Sequence, residues 1–231
     1  MLTRCRRAVP KRYRVAVTRL ANKVVRRCVS VAGMDSTAPR IAPGGRADIG
    51  TINHGIARLL GLVAGGGPPN VFTTIARHRG IFRPWLRFAG ALMPGGVLPR
   101  DQTELLILRV AHNCASEYEW SQHARIALTT GLTAADVERV RAGADADGWS
   151  ARQALLLRAA DALHADHTID DELWAELRPV MKDAELIELC LVVGHYSMLA
   201  MTLNTLRVQP DAPAGRPPRA LRVVQSIVAR R

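Results

Sequence analysis

Residues 104–123, ELLILRVAHNCASEYEWSQH, constrain this chain more tightly than any other stretch. Across residues 102–112, Leu105, Leu108 and Ala111 fall on one helical face, and Leu106, Ile107 and Val110 widen that face until the helix is apolar nearly all round. Such a helix must be buried. From Ser116 onward, Ser116, Glu119, Trp120, His123 and Ala127 recur at spacings of three and four, so they stack along one stripe of a second helix. Two successive helices, one a core element and the other carrying a carboxylate and an imidazole, are therefore the centre of the expected fold.

The rest of the chain supports an all-α architecture. Ala, Leu and Arg are abundant, aromatic and β-branched content is modest, and no strand-like alternation or solenoid repeat is present. Residues 35–48 have the Pro and Gly density of an irregular arm, followed by a helix expected over 49–63. Residues 64–70 read as a loop. Asn70 is the expected N-cap of a helix over 71–78, Gly80 a break, and Pro84 the first turn of a helix through Leu92. MPGGVLP at 93–99 delivers the chain to Asp101, read as the cap of the central helix with Glu104 three residues on. Further on, Thr133 and Asp136 form a capping pattern for a short helix over 133–141. Residues 150–165 resume helix, Asp170 or Asp171 caps a brief one around 173–177, and Asp183 starts a long apolar one running to about 207.

Charge separates the chain into three parts. The formal net charge is +12, yet residues 1–33 carry ten Lys and Arg and no acid, and residues 211–231 carry five Arg against Asp211. Residues 34–210 hold 17 basic and 19 acidic side chains, a net of −2, so the body offers no basic surface for nucleic acid. The expected organisation is a basic, disordered extension at 1–33 (or sequence ahead of a start at Met34), a helical domain at 34–210 and a Pro-rich basic tail at 211–231 that ends in a small helix at 220–231. No apolar run approaches the ~20 residues of a membrane span, so stable membrane insertion is not expected. Cys5, Cys28, Cys114 and Cys190 are scattered without a CxxC pair or zinc spacing, which fits a reducing cytoplasm and implies no metal.

Several residues are candidates for chemistry. Ser116-x-x-Glu119 at a helix start is a capping box, a structural role that accounts for both residues. His123 has no such explanation, and Glu104 is an unusual occupant of an apolar helix unless it is paired. A carboxylate beside an imidazole favours the charged ring, so such a pair exchanges a proton near neutral pH, the equipment of general acid-base catalysis. Cys114 lies just ahead of the second helix, where the dipole favours a thiolate, although a small buried hydrophobe is the default reading for it and more firmly for Cys190. His195 is a candidate lining residue facing the central pair. His78, Arg77, Arg79 and Arg83 form either an anion site or a solvated basic face.

The residues 70–127, and more faintly 185–208, resemble the carboxymuconolactone decarboxylase family, which includes the alkyl hydroperoxidase D type peroxidases. The resemblance is carried by Glu104, Cys114, the Tyr118-Glu119-Trp120 run, His123 and the Gly131-Leu132-Thr133 turn. It implies an all-helical bundle assembling as a homotrimer or homohexamer, with Glu104 and His123 in proton transfer. In the peroxidase branch the redox cysteines lie twelve and fifteen positions after the Glu; here Ser116 and Glu119 stand there, so the dithiol is gone. The expected activity is cofactor-free acid-base chemistry on a small organic substrate, a lactone or carboxylate. His123 is its proton carrier, Glu104 the partner, Glu119 a second carboxylate, and Ser116, Tyr118, Trp120 and His195 are substrate contacts. The alternatives are a peroxidase using Cys114 as its peroxidatic thiol, and a non-catalytic oligomeric binder of small molecules.

Overall fold

The structure is a computed structural model and describes residues 38–212. The expected extension at 1–33 and the helix at 220–231 lie outside the described residues. The fold is all helical, with no strand among the described residues. Its elements are α1 (Arg46–Ile49), α2 (Thr51–Ala64), α3 (Asn70–Ile75), α4 (Arg79–Leu92), α5 (Arg100–Asn113), α6 (Glu117–Ala127), α7 (Ala134–Ala142), α8 (Ala151–Ala165), α9 (Asp171–Leu177) and α10 (Asp183–Leu206).

The apolar run at the centre does what its pattern requires. Leu105, Leu106, Ile107, Leu108 and Val110 of α5 are fully buried, and α5 packs against α6, α7, α8 and α10 at once. Burying each of these side chains contributes about 1.5–3 kcal/mol, so α5 is the element on which the other four are assembled. Helix α10 is the second spine, contributing Leu186, Leu189, Val192, Val193, Leu199 and Leu203 to the same core. Contrary to the expectation that no apolar run is long enough, α10 has the length and composition to cross a membrane, with mean hydropathy 1.7. More than half of that window, 56%, is buried against the protein itself.

Local signals fixed some boundaries and misplaced others. Thr133 and Asp136 form the expected reciprocal cap, Ser150 caps α8 with Gln153, and Asp170 accepts from the Leu173 amide at 2.8 Å. By contrast, α5 begins after Pro99 with no side-chain cap, so Asp101 does not cap it and Glu104 points inward. Asn70 is the first residue of α3, not its cap; its side chain donates to the Gln209 carbonyl at 3.0 Å. Gly80 does not interrupt the chain and Pro84 lies inside α4, which His78 caps by accepting from the Ile81 amide. The predicted helix at 49–63 is split at Gly50, whose φ of 81° suits a residue without Cβ. Lys182 rather than Asp183 occupies the N-cap of α10, where Glu185 accepts from the Lys182 amide.

The basic group near α4 is spent on the preceding arm. Arg77 donates to the Ala42 carbonyl at 2.7 Å and pairs with Asp48, and Arg79 donates to the carbonyls of Asp48 and Ala47 at 3.0 and 2.8 Å. These bonds pin residues 42–48 against α3 and α4. They account for two of the four residues read as an anion site, and the α4 cap accounts for His78.

Candidate functional site

Helices α5 and α6 are joined by a tight turn in which Ala115 takes φ 49°, a left-handed conformation that a Cβ disfavours, and the Ser116 amide closes back on the Ala111 carbonyl at 2.8 Å. The turn lays α6 alongside α5 and brings His123 over Glu104. One Glu104 carboxylate oxygen meets His123 Nδ1 at 2.7 Å; the other accepts from Arg100 Nη2 at 2.9 Å. Glu104 is wholly buried, His123 is 7% exposed and Arg100 8%. The Tyr196 ring, from α10, stands edge-on to the His123 ring with centroids 5.1 Å apart, and its hydroxyl donates to Met93 Sδ at 3.5 Å.

Glu119 does not do what its sequence position suggested. Neither of its carboxylate oxygens has a hydrogen-bond partner, Ser116 makes no side-chain cap bond, and the Ser116 hydroxyl is itself unpartnered. The capping-box reading is overturned. Glu119 is 2% exposed, and burial pushes its carboxyl up to about 7, opposed by the neighbouring His123 and Ser116. The Ser116 hydroxyl is close enough to hold that value down, yet the two groups do not reach hydrogen-bond geometry, so burial dominates. The result is a carboxyl group that changes charge near neutral pH beside an imidazole.

Arg100 is the member of this group that sequence reasoning missed. It donates once to Glu104 and leaves Nε and Nη1 buried without an acceptor. An unmet buried donor costs about 1–3 kcal/mol. The one sequence signal was the i, i+4 spacing of Arg100 and Glu104, which marks a helical ion pair but not its burial.

The other candidates are distributed around this centre and not all within it. Cys114 is half-buried, and its Sγ lies 3.7 Å from His164 Nδ1; burial and the Glu119 charge push its thiol up, away from thiolate. Cys190, read as buried, is exposed on α10, and its thiol is also pushed up by partial burial. Tyr118 accepts from the Val71 amide at 3.2 Å and donates to Asp211 at 2.8 Å, so it ties α6 to α3 and to the chain after α10. Trp120, partly buried against the core, lies under the Arg141 guanidinium, which stands 3.8 Å from its ring centroid. His195 is packed among rings, stacked on Trp85 at 6.1 Å and edge-on to Phe88 and Tyr196, and burial pushes it toward the neutral form.

The cavities on the described surface include two away from this centre. One, of 420 Å³, is lined by charged residues including Arg109, Asp161 and Glu172; the other, of 560 Å³, lies between α2 and α4 with Arg79, Arg83 and Arg87 on its rim. Glu104, His123, Glu119 and Arg100 line neither. No cluster of three His, Cys, Asp or Glu side chains suited to a metal ion occurs among the described residues. The arrangement can pass a proton between Glu104 and His123, with an unpartnered carboxyl beside them and two guanidinium nitrogens of Arg100 without acceptors.

Comparison with known proteins gives a family match and a fold. The carboxymuconolactone decarboxylase family model matches residues 79–162, the span that contains α4 to α6 and all four residues of the buried centre. An uncharacterized peroxidase-related protein with an alkylhydroperoxidase core from Ralstonia eutropha superposes with a TM-score of 0.66 at 19% identity, over 81% of this chain and 96% of that one. A peroxidase-related protein from Silicibacter gives 0.67 at 17% identity over 78% and 96%. A debrominase solved in complex with 2,3,4-tribromopyrrole gives 0.62 at 17% identity, over 83% of this chain and the whole of that one. At such identities these likenesses establish the fold. No curated protein matches the chain.

Proposed function

Taking the carboxymuconolactone decarboxylase match as premise, we propose that this protein is an enzyme of cofactor-free acid-base chemistry acting on a small organic substrate. The observation that carries the reading is the buried contact between Glu104 and His123 at 2.7 Å, with the unpartnered Glu119 carboxyl beside it. Glu104, held from its other side by Arg100, orients the imidazole, and His123 is the group that gives or takes the substrate proton. Glu119, poised near 7, is the second acid: protonated below that value, it can donate a proton to a carbon or oxygen as a bond elsewhere in the substrate breaks. Decarboxylation of an unsaturated lactone is one reaction of this type. The carbon–carboxylate bond breaks, carbon dioxide departs, and the electron pair left behind is protonated at carbon.

A peroxidase reaction through Cys114 has less support. Its thiol is pushed up, and the Cys114 carbonyl accepts from Asn204 of α10 while Cys190 stands fourteen residues earlier on the same helix, roughly 20 Å along its axis. A disulfide needs Cα atoms within about 7 Å, so a second sulfur would have to come from elsewhere.

Self-association is part of the proposal. Ile187, Leu191, Met198 and Met201 are 61, 43, 47 and 63% exposed along α10, an apolar stripe that a second copy would cover. Light scattering on wild type and on a variant carrying Ile187→Lys and Met201→Lys checks this: the variant should run as a smaller species.

The test of the activity is turnover of a panel of unsaturated carboxy-lactones, followed by absorbance, alongside hydroperoxide consumption with dithiothreitol. Acid-base chemistry predicts lactone turnover that disappears in His123→Ala and survives Cys114→Ala. Hydroperoxide turnover lost in Cys114→Ala would replace this reading with the peroxidase.

A further inference from the structure

Arg100 has a feature that its pairing with Glu104 leaves unexplained. Its Nη2 is used on Glu104 at 2.9 Å, while Nε and Nη1 are buried without any acceptor, although the side chain is 92% removed from solvent as judged from its 8% exposure. A guanidinium whose only task was to neutralise Glu104 would turn a two-donor edge to the carboxylate, as Arg109 does toward Asp161 at 2.6 and 2.8 Å on the same helix. Arg100 instead gives Glu104 one donor and keeps two spare. The Glu104 carboxylate divides its two oxygens between His123 and one Arg100 donor, and no described residue accepts from the other two guanidinium nitrogens. Glu119, the other acid of this region, also stands unpartnered and does not bond to Arg100. Arg100 and Glu119 are both close enough to Tyr196 to act on it electrostatically, so the unpartnered groups share one buried region.

We propose that Arg100 is the anion-recognising residue of this site, its spare guanidinium donors taking an anionic oxygen of the ligand so that the rest of the molecule lies against His123 and Glu119. This rests on the acid-base reading of the site and adds to it the residue that selects a charged ligand and sets its orientation. Selection follows from the cost of the alternative: a neutral amide of the same shape offers one weaker acceptor and brings its own donors against the guanidinium. Arg100 lies immediately after residues 93–99, the loop whose Val97 and Leu98 amides are held by the Glu188 carboxylate and whose Met93 receives the Tyr196 hydroxyl.

The test uses the full chain and two matched pairs of probes, benzoate with benzamide and crotonate with crotonamide, with binding read by calorimetry. At least one carboxylate should bind roughly ten-fold or more tighter than its amide, the discrimination expected when a charged hydrogen bond is lost. The arginine Nε–H resonance that disappears in Arg100→Lys should shift with the carboxylate and not with the amide. Arg100→Gln should lose the preference; because it strips Glu104 of a partner, it is paired with a variant carrying both Arg100→Gln and Glu104→Gln, in which neither charge remains. His123→Ala should keep the preference even where turnover is gone, which separates failure of this inference from failure of the proposed reaction. Equal binding of carboxylate and amide in every pair, absence of binding by all four probes, or an unchanged preference in either Arg100→Gln variant overturns the assignment.

Discussion

Helix α5 carries two ionic groups only five residues apart, and they are built on opposite principles. At Arg109 every polar atom is met. Nε and Nη2 take both oxygens of Asp161, Nη1 takes the Val140 carbonyl at the end of α7, and the Asn113 amide takes Asp161 again at 2.7 Å. The junction is partly solvated and joins α5, α7 and α8. At Glu104 the charges are sealed, and Arg100, Glu119 and Ser116 all retain unmet groups. A satisfied, half-exposed ion pair costs little and holds helices together; an incompletely satisfied buried one reduces stability. The contrast is between a satisfied junction that holds helices together at Arg109 and a buried group with unmet donors and acceptors at Glu104.

The sharpest way to break this contrast is through turnover. His123→Ala should lower kcat by about 10²–10⁴-fold, while Arg109→Met should leave kcat within a factor of a few. If both variants lose activity equally, the two groups do not differ as described. Stability is expected to respond in the reverse order. Arg109→Met should destabilise by about 1–3 kcal/mol in chemical denaturation, because it leaves a carboxylate and a helix-end carbonyl short of donors.

The Glu119 carboxyl gives the buried centre a pH signature. Its value in the folded chain is raised, so between the ordinary glutamate range near 4.5 and about 7 the folded state holds a proton that the unfolded state has released. Stability contributed by the neutral group is therefore complete below about 4.5 and is lost as pH rises through 7. Glu119→Gln should raise stability by about 1–3 kcal/mol at pH 8 and change it little at pH 5, measured as denaturation midpoints. If Glu119 is the general acid, the same variant should also remove the fall in kcat above pH 7. The smallest effect is expected at Asp211→Asn, about 1 kcal/mol, since it weakens the bonds to Tyr118 and to the Asn70 amide without touching the buried centre.

Much of the fold could be read from short-range pattern. The all-round apolar run of α5, the reciprocal cap at Thr133 and Asp136 and the Ser150 start of α8 are set by residues within four positions of one another, and all three appear as expected. The errors arose where a remote residue outbid a local one. Ser116 and Glu119 have capping-box spacing, but the tight turn at Ala115 points the Ser116 amide at Ala111, and Glu119 is carried into the core. Tyr118 sits in the most informative motif of the chain, yet its hydroxyl is used by Val71 and by Asp211, a residue read as the start of the tail. Cys190 has apolar neighbours in sequence and still faces outward, because α10 buries a different stripe of its surface.

The sequence by itself determined that this is a helical protein centred on two helices, and that an imidazole and an acid lie on them. Periodicity and capping depend on neighbours along the chain, so they are written there. Only the tertiary structure decided that Arg100 joins the pair, that Glu119 is an unpartnered acid near neutrality and that Cys114 stands aside with its thiol protonated. Those properties come from burial and from groups many residues away, because desolvation and hydrogen-bond partners are fixed by packing and not by local order.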